Sequence, residues 1–111
     1  MTQSPGQNRK NLTPDAEQAW RDFSKAVFAP GALDAKTKQL IAVAVAHVTQ
    51  CPYCIEGHAP AAKKAGATEA EMMEAIWVAA EMRAGGAVAH SHLAFNALGK
   101  TRTAKRTCAP R

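Results

Sequence analysis

Residues 34–58 read DAKTKQLIAVAVAHVTQCPYCIEGH, and the conformation of the apolar run 40–48 inside them decides the fold. That run is short and alternates valine with alanine, so pattern alone fits a buried strand as well as a buried helix. A strand entering Cys51-Pro52-Tyr53-Cys54 and followed by a helix would give an α/β redox fold. The rest of the chain offers no further strand pattern and no Thr-Val-Pro-type segment to make the cis-proline loop such a fold needs. Ala42, Ala44 and Ala46 favour helix, and Lys36 and Lys38 sit on its first two turns. Residues 34–50 are therefore read as a helix capped by Asp34, and the chain as all-α.

Working outward, Pro and Gly divide the chain. Thr13-Pro14 is a cap followed by proline at the first helical position, and Ala16, Trp20, Phe23 and Val27 recur at helical spacing up to Ala29-Pro30-Gly31. Pro52 opens a further helix that ends at Gly66. Thr68-Glu69-Ala70-Glu71 has the form of a capping box and starts a helix with two adjacent apolar stripes, Met72, Ile76, Ala79 and Met73, Trp77, Ala80. Gly85-Gly86 is expected to break or kink the chain before a last helix from Ala87 to about Leu98. The prediction is a single domain of about five to six helices over 13–99, with a flexible tail over 1–12 and a basic, flexible tail over 100–111. The glutaredoxin fold, whose active-site tetrapeptide is often this one, is the alternative set aside above.

The composition points the same way. The chain has 111 residues, enough for one core. Of its apolar residues, 25 are alanine, so few large side chains remain to build that core. Such a subunit is expected to bury further surface against copies of itself. The net charge of +5 is carried by the tails, which hold seven basic residues and no acid; residues 13–99 hold all nine acids and seven bases. No specific nucleic-acid binding is expected from such a domain. No apolar run approaches the ~18 residues of a membrane span, and the N-terminal residues show no secretory pattern, so the expected location is the cytoplasm with no membrane partner.

The chemistry concentrates in Cys51-Pro52-Tyr53-Cys54-Ile55-Glu56-Gly57-His58. With Cys51 as cap and Pro52 as first residue, Cys54 falls in the first helical turn, where free N–H groups and the helix dipole favour a thiolate. His58 follows four residues later on the same face, placed to take the thiol proton or return one to a leaving group. Cys51 is three residues from Cys54, within reach to close a disulfide once Cys54 is oxidised to a sulfenic acid. Two other readings stay open: the cysteines as small buried hydrophobes, and a zinc site of Cys51, Cys54 and His58 completed by His47, His90 or His92. The C-x-x-C-H haem signature is absent because residue 55 is isoleucine. Tyr53 is a candidate hydrogen-bond donor or a packing residue. His90, after the Gly-Gly pair, is a further supporting candidate; His92 reads as a core or interface residue, and Cys108 as an exposed thiol without a role.

These residues resemble the AhpD-like alkyl hydroperoxidases of the carboxymuconolactone decarboxylase superfamily. The match runs from about Leu33 to Leu98, through KTKQLIAVAVAHVTQCPYCIEGHAPAAKKAGAT and EMMEAIWVAAEMRAGGAVAH. The resemblance implies an all-helical fold and a homotrimer or homohexamer. It further implies a peroxidase cycle with Cys54 peroxidatic, Cys51 resolving, the two joined as a redox-active disulfide, and His58 as proton relay. No cofactor or metal is bound in such proteins. The substrate is a hydroperoxide and the reductant an external dithiol, in the best-known members dihydrolipoamide on a lipoylated protein.

One position departs from the family pattern. The relay glutamate of K-x-[KR]-E-L is Gln39 here, and an amide orients a proton donor but does not take its proton at neutral pH. The expectations are therefore weaker peroxide turnover, His58 acting alone, or disulfide exchange as the physiological reaction. The lactone decarboxylases that share the superfamily do not depend on a Cys-x-x-Cys pair. The alternative function is a redox-sensing or structural oligomeric module of the same fold.

Overall fold

Four of the six helices begin at a side chain that caps them, those of Ser4, Asp34, Cys51 and Thr68. The computed structural model describes residues 4–99; Cys108 and the C-terminal basic tail lie outside them. Six helices follow in order: α1 Pro5–Leu12, α2 Pro14–Phe28, α3 Ala35–Thr49, α4 Pro52–Lys64, α5 Glu69–Ala89 and α6 Ser91–Ala97. No strand occurs among the described residues, so the all-helical expectation holds. Asp34 caps α3 by accepting the Thr37 N–H at 2.8 Å, and Thr68 and Glu71 form the reciprocal capping box of α5. The ambiguous run 40–48 is helix because its alternate residues do not face one side only: Val43 and Ala46 are buried while Ile41 and Val45 are half exposed.

The chain differs from the sequence reading in two places. Residues 5–12, expected in a flexible tail, form α1, started by Ser4 and Gln7 as a second capping box. Its Arg9 Nε lies 2.7 Å from Glu17 Oε1, and Arg21 Nε is 2.8 Å from Glu17 Oε2, so Glu17 is buried between two guanidinium groups. The second difference is at Gly85-Gly86, which does not break the chain. α5 runs through both glycines to Ala89, and the change of direction comes at His90. Glycine lowers helix stability without forbidding the conformation, and the alanines at 84, 87 and 89 carry the turn through.

α3 is the hub, with α4 and α5 packed along it. The core is small: Val43, Ala62 and Ala67, backed by Leu40, Ala59, Met72 and Ile76. Lys36 joins the starts of α3 and α5 through a 2.9 Å ion pair to Glu71, and Arg83 Nη1 donates to the Val48 carbonyl at 2.7 Å near the other end. α1 packs on α2, and α2 lies along α1, against α3 and, through Phe28 at its end, against His58 of α4. The first two helices therefore form an arm beside the three-helix core.

Candidate redox site at the start of α4

α3 ends with Gln50 in the left-handed conformation, φ 56°, which turns the chain so that Cys51 becomes the N-cap of α4. The Cys51 sulfur accepts the Cys54 N–H at 3.2 Å, the bond a serine or aspartate oxygen makes at other helix starts. Pro52 at the first position loses no hydrogen bond there. Both cysteines are free thiols and partly buried.

The two sulfurs differ electrostatically, and not in the expected direction. Cys51 is held below the ordinary thiol value by the hydrogen bond from the Cys54 thiol, then by the Cys54 and Tyr53 backbone N–H groups, with burial opposing. Cys54 is pushed up by its bond to the Cys51 sulfur, by burial and by the charge on Cys51. The expectation that the helix start lowers Cys54 is thus corrected: the free N–H groups converge on the capping sulfur one turn earlier. Cys51 lies below and Cys54 above the ordinary thiol value.

Cys54 and His58 line one side of a cleft of about 370 Å³ between α3, α4 and the end of α2. Its other walls include Val27, Phe28, Ile41, Val45 and Ala46. The His58 ring Nδ1 lies 2.8 Å from Gln39 Oε1. An amide oxygen accepts, so Nδ1 carries the proton and Nε2 is left as the basic nitrogen. Phe28 stacks on the His58 ring with centroids 4.9 Å apart and planes at 27°. Cys51, Cys54, His58 and Gln39 are thus brought together at one site.

The other candidates stand apart from it. Tyr53 is 83% exposed, and only its backbone N–H serves the site, through Cys51. His90 Nδ1 is bonded to the Gly86 carbonyl at 2.7 Å and lies exposed at the junction of α5 and α6. His92 Nδ1 is 3.0 Å from the Ala89 carbonyl. His47 bonds the Val43 carbonyl at 2.7 Å and opens on a different hollow with Pro52 and Glu56. Among the described residues no three His, Cys, Asp or Glu side chains are gathered to hold a metal ion.

Two site residues escaped the sequence reading. Phe28 reaches His58 from the end of α2, thirty residues away, where no local pattern announces it. Lys38 lines the cleft and donates to the Val27 and Ala29 carbonyls at 2.8 and 2.6 Å, holding the end of α2 against α3. The proximity of a lysine on α3 to the Pro30 break was the available signal, since the last carbonyls of a helix need donors.

The chain belongs to the carboxymuconolactone decarboxylase family, whose model matches residues 14–97. It is 65% identical, over 74% of each chain, to an uncharacterised protein of the cox locus of Paracoccus denitrificans. Its fold is similar to a crystal structure from Methanobacterium thermoautotrophicum, with TM-score 0.72 and 36% identity over 77% of this chain and 96% of the other. A carboxymuconolactone decarboxylase family protein from Legionella pneumophila, solved in the apo form, superimposes with TM-score 0.65 and 36% identity over 68% and 67%. A family member from Thermotoga maritima, for which a part in an antioxidative response has been suggested, gives 0.58 and 32% over 79% and 87%.

Proposed function

We propose that the protein is a two-cysteine peroxidase and disulfide oxidoreductase acting on organic hydroperoxides. The observation that carries this is one cleft: Cys54 beside His58 in an apolar pocket, with the Cys51 sulfur 3.2 Å from the Cys54 N–H. Cys54 Sγ attacks the terminal peroxide oxygen as His58 Nε2 takes the thiol proton. The O–O bond breaks, and the alkoxide leaves with that proton as an alcohol. Cys51 then attacks the Cys54 sulfenic acid, water departs and the disulfide forms. An external dithiol, free or lipoyl-borne on a protein, reduces it through exchange. His58 takes the proton in this step because the Cys54 thiol is held above its ordinary value, and Gln39 orients the ring without sharing the charge. A carboxylate at 39 would stabilise the imidazolium that forms in this step. The antioxidative suggestion for the Thermotoga relative supports the reading. The chain needs no bound metal or cofactor for the cycle, which is proposed to run in a cytoplasmic homo-oligomer, a trimer or hexamer.

A second reading follows from the position of Cys51. A capping thiolate is the better attacking group for disulfide substrates, so Cys51 would begin exchange with a disulfide as Cys54 begins reaction with a peroxide. Trapping separates them. With Cys51→Ser, dimedone is expected to label Cys54 after one equivalent of cumene hydroperoxide; with Cys54→Ser no label is expected on Cys51. Labelling of Cys51 alone would reverse the roles.

A further inference from the structure

The redox cleft has a wall that the thiol motif does not supply. α2 ends at Phe28, and Lys38 of α3 donates to the carbonyls of the residues on either side of it, Val27 at 2.8 Å and Ala29 at 2.6 Å. One ammonium thus grips the chain just before and just after Phe28, where the end of a helix leaves carbonyls without intrahelical donors. Among the described residues no other hydrogen bond or ion pair joins α2 to α3.

The Phe28 ring lies on the His58 imidazole, with centroids 4.9 Å apart and planes at 27°. The edge of the same imidazole is held by Gln39 Oε1, 2.8 Å from Nδ1. These two contacts restrain different motions. A hydrogen bond at one edge tolerates tilting of the ring about that bond, whereas a stacked neighbour fixes the plane. With both in place Nε2 keeps one direction, and His58, Phe28 and Cys54 all line one cleft.

Charge points the same way. When His58 takes the thiol proton it becomes an imidazolium, and the Gln39 amide offers it a dipole but no opposite charge. The face of an aromatic ring is negative and attracts a cation within about 6 Å of its centroid, the more so where water is kept away. Phe28 lies within that distance of His58.

We propose that Phe28 is a positioning residue for His58, set in place by Lys38. Its ring fixes the plane of the imidazole, and its face stabilises the imidazolium formed as Cys54 loses its proton, the charge that an amide at 39 does not balance. The role rests on the peroxidase reading of the site. The proton passes from Cys54 Sγ to His58 Nε2 and on to the leaving alkoxide, so the ring is charged only between those two transfers. Phe28 and Lys38 gain and lose no proton or electron.

Magnetic resonance and single-turnover kinetics on the full-length chain test it together. The His58 ring protons, assigned by their loss in His58→Gln, are expected to move downfield in Phe28→Leu as the phenyl ring current disappears. They move in the same direction in Lys38→Met as the end of α2 loosens, and stay in place in Phe28→Tyr. The second-order rate of Cys54 oxidation is expected to fall about tenfold in Phe28→Leu and about threefold in Lys38→Met, with Phe28→Tyr within about twofold of wild type. Hydrogen peroxide, which has no apolar body, and cumene hydroperoxide are expected to show the loss in equal proportion. A loss confined to cumene hydroperoxide would make Phe28 only a wall of the cleft and overturns the proposal. So does a Phe28→Leu rate equal to wild type, a Phe28→Tyr rate as slow as Phe28→Leu, or a His58 signal indifferent to Lys38→Met. Those results leave the peroxidase reading standing; a wild-type chain that neither peroxide oxidises overturns that reading and the role with it.

Discussion

At the scale of single residues, the asymmetry between two thiols three positions apart governs the chemistry. Cys51 occupies the helix cap and collects the N–H groups, which hold it below the ordinary thiol value; Cys54 faces the cleft and is held above it. Because the Cys51 value is lowered, its thiolate persists below the pH at which an ordinary thiol, near 8.5, is protonated. Iodoacetamide with peptide mapping is expected to modify Cys51 before Cys54 at pH 7, with the preference narrowing as pH rises and Cys54 ionises. Faster alkylation of Cys54 at pH 7 would remove the asymmetry. The motif and its histidine were legible in the sequence because Cys-x-x-Cys-x3-His places them on adjacent turns of one helix. The sense of the asymmetry was not, because it depends on which sulfur serves as the cap. Gln39 was legible only as a departure from a family pattern, and its direct bond to His58 is a tertiary contact across nineteen residues.

At the scale of helices, caps predicted starts better than glycines predicted stops. Asp34 and the Thr68–Glu71 box each open a helix where the sequence placed one, since each satisfies free N–H groups locally; Pro52 opens α4 because its first position needs no N–H. Gly85-Gly86 misled, because two glycines weaken a helix by only about 1 kcal/mol each and alanine-rich flanks restore it. A Cβ at Gly86 would meet nothing within 4 Å. Gly86→Ala is therefore expected to stabilise the chain by roughly 0.5–1 kcal/mol, read as a rise in the urea midpoint at unchanged slope. A fall in the midpoint would mean that position 86 is covered in the assembled protein. α1 was missed because its stabilising partner, Glu17, lies in the next helix and Leu12 is its one large apolar residue.

Across the whole molecule, a small alanine-lined core and an attached arm divide the stability. The arm is tied by Glu17, whose carboxyl is held below its usual value chiefly by the hydrogen bond from Arg9, then by the charges of Arg9 and Arg21, against burial. A depressed carboxyl contributes its stability above the ordinary carboxylate range and loses it as pH falls through the lowered value. Amide exchange is thus expected to show α1 protection intact at pH 5–7 and lost only as pH falls below the ordinary carboxylate range, while α3 holds longer. Glu17→Gln should produce the same loss at pH 7; equal protection in the variant would detach α1 from this ion pair. The core-forming hub was visible in the sequence as the Leu40–Val48 run, whereas the cleft beside it emerges only once α4 and the end of α2 are set against α3.

The central claim is a two-thiol cycle at Cys51 and Cys54, and intact mass tests it most directly. The reduced, metal-free Cys108→Ser chain is treated with one equivalent of cumene hydroperoxide and mapped by peptide. The account predicts a loss of about two mass units per chain, located to a Cys51–Cys54 disulfide and reversed by a dithiol. An unchanged mass with both thiols still titratable would contradict it.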